Sequence, residues 1–120
     1  MDIETALKEA MQIDGALGVA LVDYDSGMTL GMQGGGKFLD LELAGAGNTE
    51  VVRAKMRTMS SLGLNDEIED ILITLGRQYH IIRPARRGQT LFLYLALDRQ
   101  KANLALARIN LKRIEAELSV

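Results

Sequence analysis

Thr90-Leu91-Phe92-Leu93-Tyr94-Leu95-Ala96-Leu97 reads as a strand with no polar face. Successive side chains of a strand point to opposite sides. Leu91, Leu93, Leu95 and Leu97 therefore make one apolar face, and Phe92, Tyr94 and Ala96 the other. Such a strand belongs in the middle of a sheet covered by helices on both sides. Just upstream, Arg87-Gly88-Gln89 joins it to a strand at Tyr79–Arg86, and Gly76-Arg77-Gln78 joins that one to Glu69–Leu75. Short turns between neighbouring strands make the sheet antiparallel. Downstream, Asp98 is expected to cap a final helix running almost to Val120.

The amino-terminal half supplies the rest. Ile3, Leu7 and Ala10/Met11 recur at helical spacing, so Asp2–Gln12 reads as a short helix ended by Asp14-Gly15. Ala16–Tyr24 is a second strand apolar on both faces. Asp25-Ser26-Gly27 turns it back into Met28–Gln33, and the loop Gly34-Gly35-Gly36 follows. From about Leu39 to Leu62 the pattern is helical, although Leu39, Leu41 and Leu43 also alternate like a strand. The order is α-β-β-α-β-β-β-α, a single domain over residues 1–120. The fold class is α/β of the α+β type, a five-stranded, largely antiparallel sheet with helices on its faces. The first and fifth strands are central. The fourth, with Arg83, Pro84 and Arg86, suits a more exposed position.

Two surfaces ask for a cover that one chain does not provide. The final helix has one apolar stripe (Leu104, Ala107, Leu111, Ile114, Leu118) within roughly 80° of arc, enough for one sheet. The middle helix has two. Leu43, Gly47, Val51 and Ala54 lie on one side, and Leu41, Gly45, Val52, Met56 and Met59 roughly 120–180° away. The third strand, Ile71-Leu72-Ile73 through Leu75, is apolar on both faces yet falls at an edge, where an unprotected apolar strand invites pairing. A homodimer through Val52, Met56 and Met59 of the helix and Ile71 and Ile73 of the strand answers both demands. The other reading covers the second stripe with the opening helix or the glycine loop.

Composition narrows the function classes. Apolar residues are 48% of the chain and charged residues 25%, an ordinary globular balance, and the formal charge of −2 gives no general attraction to nucleic acid. The charge is uneven. Residues 1–40 hold 7 acidic and 2 basic side chains, 41–80 hold 6 and 4, and 81–120 hold 3 and 8. The absence of cysteine excludes disulfides, thiolate metal sites and cysteine nucleophiles. No basic-then-apolar leader and no membrane-spanning run are evident, so direct membrane insertion is not expected and a cytoplasmic location is.

Several short motifs resemble chemistry without completing it. Gly31-Met32-Gln33-Gly34-Gly35-Gly36-Lys37-Phe38 approaches the phosphate-binding loop, but Phe38 stands where a Mg²⁺-binding hydroxyl is required. Asp23-Tyr24-Asp25-Ser26-Gly27 opens like a calcium loop, but Gly34 occupies the place of its bidentate glutamate. His80, the only histidine, has no evident catalytic partner. Arg83, Arg86 and Arg87 read as a solvated basic turn, and Lys101, Arg108 and Lys112 as the wet face of the last helix. Arg53, Lys55 and Arg57 admit two readings: a rim that docks a partner across a dimer axis, or a solvated helix face. No catalytic residue, cofactor or metal is assigned.

These residues resemble a known family. The hairpin Gly18–Gly27, the segments Asp66–Leu75 and Tyr79–Pro84, and Leu91–Leu97 running into Asp98–Ala105 are similar to the roadblock/dynein light chain family, in particular its actinobacterial members. The resemblance covers nearly the whole chain and rests on strand-and-turn patterns. It implies homodimers that join third strands into one sheet and pair middle helices. It also implies a non-enzymatic adaptor or regulator, docking a small Ras-like GTPase or another signalling protein. The alternative is a small-molecule-sensing domain with its ligand between sheet and helices, and it requires an apolar cavity with convergent polar groups. Aliphatic core positions, with aromatics only 4%, favour a filled core.

Overall fold

The computed structural model describes residues 1–86 and 89–120. Its elements are α1 (Ile3–Ala10), β1 (Ala16–Asp23), β2 (Thr29–Gly34), α2 (Leu41–Ser61), β3 (Ile71–Thr74), β4 (Gln78–Pro84), β5 (Leu91–Asp98) and α3 (Leu104–Glu117), with a 3-10 turn at Gly36–Phe38. This is the expected order. The expected turn at Arg87-Gly88-Gln89 lies outside the described residues for Arg87 and Gly88.

The five strands form one sheet in the order β2-β1-β5-β4-β3, every neighbouring pair antiparallel. β1 and β5 are central, and their two-faced apolar pattern explains why. On one face Val19, Leu21, Leu93 and Leu95 pack with Leu7 and Ala10 of α1 and with Ala107, Leu111 and Ile114 of α3. On the other, Ala20, Val22, Phe92, Tyr94 and Ala96 pack with Leu41 and Val52 of α2. Burying each large side chain in these layers contributes about 1.5–3 kcal/mol. Periodicity alone had marked these faces.

Local chemistry sets the helix boundaries. Asp40 caps α2, its carboxylate accepting from Leu43 N at 3.1 Å, and so resolves the ambiguous Leu39–Leu43 stretch as helix. α3 corrects the expectation. Asp98 remains in β5, its N–H donating to the Gly15 carbonyl at 2.8 Å, and the chain then turns through Lys101 and Ala102. The cap is Asn103, whose side chain accepts from Leu106 N at 3.1 Å. The glycine loop has a structural reason too. Gly34 and Gly35 both have positive φ, and a Cβ on either would sit 2.7 Å from a backbone oxygen, of Leu17 and Leu39 respectively. The loop is a close crossing of the chain over itself.

β4 also departs from expectation. It lies inside the sheet between β5 and β3, and Arg83 is not solvated. Its Nε sits 3.1 Å from Oε1 of Glu115 on α3, with the two side chains only 12% and 7% exposed. Arg86 approaches the same carboxylate at 3.9 Å and donates to the carbonyls of Ala116 and Leu118, both at 3.0 Å. Those carbonyls end α3, where a cation also meets the negative end of the helix dipole. Arg108 and Lys112 are exposed, as expected of the wet face of α3, and both also reach carboxylates. Arg108 holds Asp70 in a fork (2.8 and 3.1 Å) and Lys112 reaches Glu69 at 3.5 Å. The Arg108–Asp70 fork ties the segment leading into β3 to α3, while the Lys112–Glu69 pair is open to solvent and adds little.

Candidate docking surface

α2 lies across one face of the sheet with Leu41, Gly45, Thr49 and Val52 buried beneath it. Among the described residues its opposite stripe has no partner: Leu43 is 70% exposed and Val51 36%, and Gly47 and Ala54 are exposed beside them. Arg53 fixes which way this stripe points. Its guanidinium donates to the carbonyls of Tyr24 (2.6 Å) and Asp25 (2.5 Å) in the β1–β2 turn. At 100° per residue Arg53 stands roughly 100° to one side of the Leu41–Val52 line and Val51 roughly 100° to the other. With Arg53 tied to the β1–β2 turn, the flank carrying Gly47, Val51 and Lys55 is turned towards β4 and β3.

β3 completes that side. It hydrogen-bonds only with β4, so its outer edge is open. Ile71 opposes Ile82 and Ile73 opposes His80, and Ile71 and Ile73 pack, half-buried, on the α2 face of the sheet. Leu72 points to the α3 face and is partly exposed. Next to Ile73 lies a small polar group. His80 Nε2 donates to Gln78 Oε1 at 2.7 Å, and the Tyr94 hydroxyl meets His80 Nδ1 at 3.2 Å, the two rings edge to face. Burial lowers the His80 pKa and pushes that of Tyr94 up to about 12, so both side chains are neutral near pH 7.

The residues expected at a dimer interface are thus distributed unevenly. Ile71 and Ile73 lie at the open edge. Val52 has no exposed surface, because it packs on Val22 and Phe92 of its own sheet. Met56 and Met59 also face inward. They line a surface cleft of about 410 Å³ with Tyr24, Leu64, Ile68 and Pro84, at the carboxyl end of α2. The expectation gave the Val52, Met56 and Met59 stripe to the dimer, and the structure corrects it: the chain's own sheet takes that stripe, which periodicity alone does not distinguish from its opposite. The outward stripe is the one left for a partner.

The three basic residues expected to dock a partner do not share a face. Arg53 is engaged with backbone carbonyls. Lys55 is exposed on the flank towards β3, and Arg57 is exposed on the Arg53 side. Reasoning from sequence missed the role of Arg53 because its acceptors are main-chain oxygens, which carry no side-chain signal. Glu115 was missed as well; its place beside Leu111, Ile114 and Leu118 in the apolar stripe was the available signal, since a buried carboxylate needs a cation, but nothing local in the sequence names Arg83 as that cation. Among the described residues no cluster of His, Cys, Asp or Glu could hold a metal ion, and no buried side-chain polar atom lacks a hydrogen-bond partner. No helix among them is long and apolar enough to cross a membrane.

A β2-β1-β5-β4-β3 antiparallel sheet, with one long helix on one face and the two terminal helices on the other, is the fold of roadblock/LC7 domains. The chain is similar to the roadblock/LC7 domain from Streptomyces avermitilis, with a TM-score of 0.79 and 12% identity over 97% of this chain and 93% of that one. It is also similar to MglB of Myxococcus xanthus (TM-score 0.76, 19% identity, 94% of this chain and 85% of that one). MglC of the same organism aligns at 0.58 and 20% identity over 98% and 100%. No family model matches the sequence, and no curated protein matches it.

Proposed function

We propose that the chain is a homodimeric, non-enzymatic adaptor or regulator in the cytoplasm, docking a protein partner on the surface its two α2 helices share. The observation that carries this reading is one of position. The open edge of β3 and the exposed stripe Leu43, Gly47, Val51 and Ala54 are both apolar and uncovered, and by helical geometry Gly47 and Val51 lean to the flank away from the β1–β2 turn, the flank on which β3 lies. Two copies pairing β3 edge to edge would extend the sheet across the axis. They would also bring the small residues Gly47, Val51 and Ala54 together, where a close helix approach buries the stripe. The partner suggested by the roadblock resemblance is a small Ras-like GTPase, and Lys55 and Arg57, both exposed on α2, are cations it could meet. A solved MglB with a tetrameric arrangement supports self-association in this fold. Under the middle of α2 the space a ligand-sensing domain would keep open is filled by Val22, Val52, Phe92 and Tyr94, and the cleft at its carboxyl end opens to the surface, which favours the adaptor.

The test is solution mass across a dilution series, with two substitutions that separate interface from core. Val51→Arg is expected to give a folded monomer, because it places a charge in the paired stripe and touches no core residue. Met56→Glu is expected to lower the melting temperature, because Met56 packs against the chain's own sheet. A wild-type chain that is monomeric throughout, or a Val51→Arg variant that stays dimeric, would remove the shared α2 surface.

A further inference from the structure

The sheet has a second open edge, at β2, opposite the one given to the dimer. We propose that β2 adds a strand from a partner protein: an extended segment, apolar at alternate positions and flanked by arginine or lysine. Three observations converge on it, and none depends on the pairing of α2 and β3.

The first is the direction of the backbone. Gly35 N donates to Leu17 O at 2.8 Å, and the register then runs Gly34 to Gly18, Gln33 to Val19, Met32 to Ala20 and Gly31 to Leu21. In an antiparallel ladder the hydrogen-bonded pairs alternate. Gln33 and Gly31 therefore turn their N–H and C=O groups to β1, and Met32 and Gly34 turn theirs outward. Leu30 is the extra residue where the register shifts beside Val22, and it has no partner on β1. The second is side-chain chemistry. Leu30 and Met32 are each 45% exposed and Met28 64%, and Thr29–Gly34 contains no proline or charge of the kind that protects natural edges. The strand is nonetheless firmly seated, because Ile3 and Leu7 of α1 close over Gly31 so tightly that a Cβ there would lie within 3.0 Å of both.

The third observation selects the occupant. Asp2 and Glu4 begin α1, which lies against Gly31; Asp25 sits in the β1–β2 turn; Asp40 and Glu42 share a cleft with Met32 and Gly34. Against these stand Lys8, already 3.1 Å from Glu4, Lys37, and Arg53, whose guanidinium is held on the Tyr24 and Asp25 carbonyls, so the carboxylates remain in excess. A second copy of β2 would bring the same carboxylates together and be repelled. A strand with basic flanks gains both the ladder and the charge contacts, the recognised mode of β-strand addition.

The experiment follows amide hydrogen exchange on the full chain by NMR. One probe is a synthetic peptide of alternating valine and threonine with arginines at both ends; the control carries glutamates there instead. The arginine peptide is expected to slow exchange at Met32 and Gly34 by roughly tenfold or more, with the glutamate peptide having no effect. Met32→Pro removes an outward N–H without touching the β1 ladder, and should abolish the protection. Should that variant unfold, Met32→Lys replaces it and is expected to weaken the arginine peptide by charge. The proposal is overturned by equal protection from both peptides, by protection confined to Ile71–Thr74, or by protection of β2 amides that grows with protein concentration alone.

Discussion

Replacing Glu115 by leucine should expose how α3 is held to the sheet. The leucine would suit the surroundings, since Leu111, Ile114 and Leu118 already line that stripe. The loss falls on Arg83, which is 12% exposed and has its Nε on the Glu115 carboxylate. Arg86 keeps its carbonyl acceptors at Ala116 and Leu118, so Arg83 becomes the orphan. Removing one partner of a buried pair costs about 3–5 kcal/mol, a large part of the roughly 5–15 kcal/mol that holds a domain of this size folded. With a urea m-value of about 1.5 kcal/mol/M, the unfolding midpoint should fall by about 2–3 M at unchanged m. The double variant Arg83→Met/Glu115→Leu removes both charges and should return to within about 1 kcal/mol of the parent. Measured at fixed protein concentration, a single variant losing less than about 1 kcal/mol would refute the reasoning. So would a double variant no more stable than the single one.

Two further expectations concern α2 and the polar group beside β3. Arg53→Met keeps the aliphatic stem but removes both donors to the β1–β2 turn, and should lower stability by about 1 kcal/mol, or about 4 °C in a thermal melt. Arg53→Lys should recover little of it, because an ammonium lacks the guanidinium fork; full recovery would mean charge alone matters. His80, with its folded pKa below the ordinary 6.5, binds fewer protons folded than unfolded in the acidic range. Its contribution is therefore present above pH 6.5 and is lost as pH falls through and below that value. Urea midpoints at about pH 7.5 and about pH 5.5 should diverge less in His80→Gln than in the parent. An unchanged difference would assign the acid sensitivity to other groups.

Much of this architecture follows from the sequence by itself, because alternation and helical spacing are local properties. Leu91–Leu97 and Ala16–Asp23 could be placed at the centre of the sheet because a strand without a polar face tolerates no other position. β3 could be placed at an edge by elimination, and the two stripes of α2 were visible as a sector too wide for one sheet. Only the tertiary structure decided which stripe of α2 faces inward. That choice depends on how the helix sits over β1 and β2, which Gly45 against Val22 and Thr29 and the Arg53 contacts to Tyr24 and Asp25 set together. The same holds for Arg83 and Glu115, 32 residues apart, whose pairing turns two charges that look solvated in sequence into a buried link between β4 and α3. The pattern of apolar residues fixes what must be buried. What buries it is a long-range property of packing, and for the outer stripe of α2 it lies beyond the single chain.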